Sequence, residues 1–302
     1  MKQKSVSRNH RACSVGNPSV MMALSWQEAC RQDTSLLSLD AFFPTQPHSV
    51  QPLAGGLTNR CWKITLTPEQ SYVWRPATSL TQAFAISRPK EHHILCVLQD
   101  TGLAPQAITL NDHGLLVEWI DGEALHQGVS TSVLAHQLAM VHQCDTQNLA
   151  IPVFDFSHYV HHYWQQIDDK YKTSKLIEHY HRWRFPPQLT SIDPTLCHCD
   201  LGGYNLIQTE TGVRIIDWEY AIFADPRLDL ALALGAADLP MIDMVQAYCT
   251  QRGIKEETLW LEGVQAWLPR TQMVAILWYL LAYQWWGDDH YYHTAQQIAE
   301  EL

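Results

Sequence analysis

The sequence predicts an α+β fold in two parts, a small β-rich N-terminal lobe followed by a larger, mostly helical C-terminal lobe. Three observations point to it. Apolar and polar residues alternate through Trp62, Ile64 and Leu66 against Lys63 and Thr65, the period of a half-buried strand. After Gly122 the chain changes to helical spacing for most of its length. Its 302 residues, at roughly 150 per domain, suit one large domain or two lobes. The lobes are expected at 23–120 and 121–302, with the joint near Glu118–Asp121.

Residues 1–22 are polar and basic, carry no period and lack the apolar core of a signal peptide, so a disordered tail is expected. The true start is expected at Met21 or Met22. Leu24 to Asp40 reads as a short helical stretch before Phe42–Phe43–Pro44. Strands follow at 49–53, 61–66 and 71–75, the last two joined by a turn at Thr67–Gln70. Ser87 is placed to cap a helix that has Pro89 in its first turn and ends at Gly102. Leu115–Val117 reads as one more strand. Helices are expected at about 130–144, 157–183, 228–237, 240–252, 256–267 and 271–286, interrupted by one hairpin at 204–218.

Hydrophobic residues make up 46% of the chain and charged residues 17%, which excludes intrinsic disorder. A net charge of −11 argues against a nucleic-acid or anionic-membrane partner and is compatible with a cationic ligand. No apolar run approaches the roughly 20 residues needed to cross a bilayer. The eight cysteines include no Cys-x-x-Cys pair, so reduced thiols of a cytoplasmic protein are expected. Sixteen histidines suggest a metal site, but no His-x-x-x-His on a helix with a third acid in register emerges, and solvated His is the expectation. The sequence leaves the oligomeric state open.

The segment that carries chemistry runs from Cys197 through His198, Asp200 and Asn205, and resumes at Ile216–Asp217–Trp218–Glu219. A three-residue loop, Glu210–Thr211–Gly212, would pair Thr209 with Val213 and set Asn205 opposite Asp217. Such a hairpin gathers an amide oxygen and a carboxylate, hard ligands suited to Mg²⁺. Asp200 enters the hairpin five residues earlier, where it could address a substrate. An Asp at the base position with Asn and Asp at a metal is what phosphoryl transfer from Mg·ATP uses. A structural hairpin with capping polar residues is the plain alternative.

His198-x-Asp200 with Asn205 and Ile216–Asp217 resembles the motifs of the aminoglycoside phosphotransferase/choline kinase superfamily. The resemblance implies a protein-kinase-like two-lobe fold and an ATP- and Mg²⁺-dependent small-molecule kinase. Ala54–Asn59 resembles the loop over the phosphates, implicating Gly55, Gly56, Thr58 and Asn59; paired glycines otherwise mark an ordinary hairpin. Arg75 stands where a basic residue meets the ATP phosphates, and Glu91 where its ion-pair partner falls. Glu118 to Gly122 resembles the hinge, where the backbone of Glu118 and Ile120 would meet adenine. Asp200 becomes the catalytic base, and Asn205 and Asp217 the metal ligands. His198 then braces the loop. Members commonly carry Gly before the metal Asn. Here Tyr204 stands there, so a glycine shifted by one, at Gly202–Gly203, is expected to compensate.

Asp217–Trp218–Glu219–Tyr220–Ala221 resembles the choline/thiamine kinase branch of that superfamily more than its antibiotic-resistance enzymes, and Phe42–Phe43–Pro44 and Val264-x-x-Trp267-x-Pro269 are similar to the bacterial thiamine kinases within it, then to choline kinases. Thiamine is the first expected substrate, choline or ethanolamine the alternative. Glu219 could reach substrate or a second ion, and Asp229 reads as a helix cap or a substrate contact. Nine Trp and Tyr residues fall between 260 and 292. They read either as core or as a wall for an organic cation, with Trp278 and Trp285 the favoured contacts.

Overall fold

The computed structural model describes residues 23–53, 61–125, 129–147, 149–237 and 239–302. The expected tail at 1–22 and the glycine loop with Gly55, Gly56, Thr58 and Asn59 lie outside the described residues. The chain falls into two compact units. One takes in the described residues up to Gln82, with Ile86–Leu125 and Tyr204–Glu219. The other comprises Ala83–Ala85, His126–Gly203 and Tyr220–Leu302, so the 204–219 hairpin groups with the β-rich segment.

In the first unit α1 (Trp26–Gln32) is closed by a capping box between Ser25 and Glu28 and is followed by a short 3₁₀ turn over Thr34–Leu39. Strands β1 (Ser49–Pro52), β2 (Trp62–Thr67) and β3 (Gln70–Pro76) come next, then α2 (Ser79–Ala83) and α3 (Arg88–Leu98). Strands β4 (Ala107–Asn111) and β5 (Gly114–Glu118) complete an antiparallel sheet of order β1-β2-β3-β5-β4. The alternation in β2 does what it predicts: Trp62 and Ile64 are buried with Trp74 and Val50. Each deep indole finds an acceptor, Trp26 on Asp40, Trp62 on Asp33 and Trp74 on the Ser35 hydroxyl, at 2.8–2.9 Å. These bonds let large rings enter the core without stranding a polar N–H.

As expected, Ser87 caps α3 through the Lys90 N–H, and Gly102 ends the following 3₁₀ turn at φ 70°. β4 is an addition to the expected strands, although Ile108 and Leu110 alternate with Thr109 and Asn111 along it. The short strand β6 (Glu123–Ala124) pairs with Leu206–Thr209, which pairs in turn with Gly212–Ile215.

The second unit is built on α4 (Thr131–His142), α5 (Phe156–Gln166), α6 (Ser174–Trp183), α7 (Pro226–Ala237) and α8 (Met241–Arg252). They are joined by α9 (Glu257–Trp286) and α10 (Asp289–Glu301). The single helix expected at 157–183 is two, α5 and α6. The two expected at 256–267 and 271–286 are one, since Pro269 lies inside α9. A mid-helix proline costs about 3 kcal/mol. Packing continues across it, however, with Val264, Trp267, Met273 and Ile276 all buried, and the Arg270 side chain donates to the Ala266 carbonyl at 2.8 Å. Residues 83–85 belong to this unit because α5 holds their backbone. Tyr163 donates to the Phe84 carbonyl at 2.9 Å, and Gln166 to that of Ala83 at 2.9 Å. Short antiparallel strands at Thr195–Cys197 and Ile222–Ala224 frame the loop between them. No described helix is long and apolar enough to cross a membrane.

Gly114 pairs with Pro76 at the end of β3. A Cβ there would lie 2.5 Å from the Arg75 carbonyl and 2.7 Å from the Trp74 ring. Gly114→Ala is therefore expected to destabilise the protein by about 2 kcal/mol through overpacking against β3. Urea unfolding of the two proteins checks this.

Candidate active site

In the first unit, Arg75 is the next-to-last residue of β3 and α3 begins with Arg88, so two guanidinium groups enter one buried region. Arg75 Nε lies 2.9 Å from Glu91 Oε1, and its Nη2 lies 2.5 Å from Asp217 Oδ1 and 2.8 Å from Glu219 Oε2. The buried Arg75–Glu91 pair is the arrangement expected from the sequence. Burial alone would make Arg75 easier to deprotonate, but the charges of Glu91, Asp217 and Glu219 outweigh it and hold the group charged. Glu219 is placed differently from a substrate contact. It is buried, and its carboxylate faces both Arg75 and Arg88. Burial, then the charge of Asp217, pushes its carboxyl above the ordinary carboxylate value, against the pull of the two arginines.

The hairpin register differs by one residue from the expected one. Thr209 pairs with Gly212, so the loop is Glu210–Thr211 alone, and Asn205 accepts the Ile216 N–H at 3.0 Å rather than facing Asp217. Gly212 has a positive φ of 136° but stays in the ladder instead of taking the compact left-handed value of about 57°. Thr209 locks the tighter turn by donating to the Gly212 carbonyl at 2.8 Å and accepting the Thr211 N–H at 3.2 Å. Asp217 follows Ile216 directly, so the hairpin base still carries Asn205 and Asp217 at neighbouring positions.

Asp217 adopts φ 65°, a conformation that costs a non-glycine residue about 1–3 kcal/mol and that surrounding structure must hold in place. Its side chain keeps 33% exposure, whereas Asn205 is buried. An amide oxygen and a carboxylate are the hard donors Mg²⁺ prefers, so the residue chemistry fits that ion. Tyr204 raises no conformational difficulty. It lies in a 3₁₀ turn over Gly203–Asn205, and none of residues 202–204 has a positive φ, so no shifted glycine is needed. Glu118 and Ile120 leave the end of β5. The Glu118 carboxylate accepts the Gln106 N–H at 3.0 Å and pairs with Arg214 at 3.1 Å, and the Ile120 side chain is buried.

In the second unit, the loop carrying Asp200 hangs from Asp229. Asp229 accepts the His198 N–H at 2.7 Å on Oδ2 and the Cys199 N–H at 2.8 Å on Oδ1. Cys199 is held at φ 64°, a second strained residue in a functional segment. His198 is fully buried and accepts the Asp200 N–H on Nδ1 at 3.3 Å, the bracing role expected of it. Behind Asp229, one set of orientations satisfies every group. Arg252 donates to Tyr248 at 2.7 Å, Tyr248 donates to His142 Nδ1 at 2.8 Å, and His142 Nε2 donates to Asp229 at 3.0 Å.

Asp229 is thus neither cap nor substrate contact but the anchor of the Asp200 loop. Its signal in the sequence was an acid within the apolar run Leu228–Asp229–Leu230–Ala231. Cys197 adjoins His142 and Asp229, but burial, then the charge of Asp229, holds its thiol well above the usual range, unsuited to a thiolate ligand. Trp278 donates to the Tyr220 hydroxyl at 3.0 Å and packs with Phe84 at 5.3 Å and Tyr291 at 6.2 Å. Trp285, by contrast, is 48% exposed.

The β-rich unit with its Arg–Glu pair and the mainly helical unit with its anchored Asp loop define a protein-kinase-like fold. The chain belongs to the phosphotransferase enzyme family, which it matches over residues 49–260. It is a small-molecule kinase that transfers phosphate to a hydroxyl. It is 25% identical over 264 residues to the thiamine kinase of Escherichia coli O17:K52:H18, covering 87% of this chain and 93% of that protein. Solved structures share the fold. The ethanolamine kinase of Plasmodium vivax aligns with a TM-score of 0.69 at 16% identity, over 91% of this chain and 88% of that one. The choline kinase LicA of Streptococcus pneumoniae aligns at 0.65 and 18% identity, over 88% and 97%.

Burial pushes the Asp229 carboxyl up, but the hydrogen bond from His142, the electrostatic pull of the His142 and His198 imidazoles and the Cys199 N–H outweigh it, leaving it below its ordinary value of 3.8. A carboxyl depressed on folding adds stability that is present above its unfolded value and is lost as pH falls through the lower folded one. Asp229→Asn is expected to cost about 1–3 kcal/mol near neutral pH and to flatten the loss of stability below a pH of about 4. Urea midpoints measured across that range check both parts.

Proposed function

We propose that the protein phosphorylates the hydroxyl of a small organic cation from Mg·ATP, with thiamine as the acceptor. The observation that carries this reading is Arg75, buried, charged and shared between Glu91 and the partly exposed Asp217. A fixed cation beside a carboxylate suits polyphosphate on one side and a divalent ion on the other. Arg75 binds the phosphates, Glu91 keeps the guanidinium aimed, and Asn205 and Asp217 hold Mg²⁺. When bound, that ion supplies charge neutralisation along the phosphates. The loop at Gly55, Gly56, Thr58 and Asn59 covers the phosphates, and the backbone of Glu118 and Ile120 meets adenine.

Asp200 orients the acceptor hydroxyl and accepts its proton. In a loose transition state the proton leaves late, so position matters more than a raised pKa. The Asp229 anchor supports that role, since it holds the backbone N–H groups of His198 and Cys199, the two residues before Asp200. Thiamine is favoured over choline by the E. coli thiamine kinase, whose likeness extends over most of both chains. The aromatic group around Trp278 suits either cation, each face contributing about 0.5–2 kcal/mol. Glu219 is left out of the substrate set, because its carboxylate is committed to two arginines.

Phosphate transfer from Mg·ATP to thiamine, choline, ethanolamine, homoserine and an aminoglycoside tests the reading. Thiamine phosphate is expected, and Asp200→Ala should lower turnover by about 10³-fold or more while Mg·ATP binding largely survives. Preference for choline would replace the acceptor. Absence of transfer to every one of them, or full activity in Asp200→Ala, contradicts the assignment.

A further inference from the structure

Arg88 is the first residue of α3, and its side chain is only 1% exposed. It is turned inward and holds three things together. Its Nη1 lies 2.5 Å from Glu91 Oε2 and 3.1 Å from Glu219 Oε2, and its Nε donates to the Pro76 carbonyl at 3.3 Å. Pro76 is the residue after Arg75, and Glu91 and Glu219 are both partners of Arg75. Each of these three contacts thus falls on something that fixes the Arg75 guanidinium.

The charges explain why one arginine is not enough. Glu91, Glu219 and Asp217 all face Arg75. Without Arg88, the two buried carboxylates would be left to a single guanidinium, which would be drawn away from the more exposed Asp217. Arg88 offsets one of those charges and takes the second oxygen of Glu91, leaving Oε1 for Arg75. We infer that Arg88 is a positioning residue that, through Glu91 and Glu219, keeps the Arg75 guanidinium aimed at the nucleotide phosphates. The inference rests on the reading of Arg75 as the phosphate contact.

Titration of the full chain with Mg·ATP by calorimetry, alongside KM values for ATP and the acceptor and thermal unfolding, tests it. Arg88→Met is expected to weaken Mg·ATP binding about tenfold, roughly 1.4 kcal/mol, with the acceptor KM within about twofold of wild type. Arg88→Lys keeps the charge and should recover part of the loss. Wild-type affinity in Arg88→Met overturns the inference, as does a loss matched by an equal rise in acceptor KM, the sign of general loosening. If Arg88→Met does not fold, Glu219→Gln and Arg88→Lys decide. Weaker Mg·ATP binding at constant acceptor KM supports the role, and wild-type affinity in both removes it. A wild-type protein that binds no Mg·ATP would sink the nucleotide reading and this inference together. Normal wild-type binding with an indifferent Arg88→Met sinks only the positioning role.

Discussion

Arg75 is a cation placed where water cannot reach it freely, and three carboxylates and a second arginine are arranged around that fact. Burying such a group unpaired would cost several kcal/mol, so Glu91 on α3 and Glu219 at the end of the hairpin are needed where they stand. Ser87 caps the start of α3, the helix that carries Glu91, and Gly114 leaves room for the Arg75 backbone at the end of β3. Buried ion pairs add little net stability compared with apolar packing of the same volume. An arrangement of this size is better understood as a way of aiming one guanidinium than as a source of folding energy.

The helical unit solves a similar problem for a loop. Asp200 follows a residue with positive φ, and a backbone in that conformation must be held by something outside itself. Asp229 does so with both carboxylate oxygens, and His142, Tyr248 and Arg252 satisfy and orient Asp229 from behind. The strain at Cys199 and at Asp217 falls in the two segments that carry the proposed chemistry, and each is restrained by a buried polar network.

Much of this could be read from the residues. The alternation in β2, the Ser87 cap, the Gly102 stop and the Arg75–Glu91 pairing all follow from local pattern or from motif spacing, because each depends on few neighbours. The hairpin register did not, since a glycine in a short loop can serve either a two-residue or a three-residue turn, and Thr209 decides between them. Pro269 was read as a break, but its cost is local while the packing of α9 extends on both sides. Arg88 carries no expectation from the sequence, and Asp229 and Glu219 stand elsewhere than a helix cap or a substrate contact, for a common reason. A charged residue in a helical turn or beside a metal acid looks exposed in sequence, and only tertiary packing shows that it faces inward.

The account depends on Arg75 and Glu91 acting as one device for binding nucleotide. A double-mutant cycle with Arg75→Met and Glu91→Gln, read as Mg·ATP affinity, tests that most directly. Coupling of about 1 kcal/mol or more is predicted, so that the double variant binds scarcely worse than Arg75→Met alone. Simple addition of the two losses, or wild-type affinity in Arg75→Met, would contradict it.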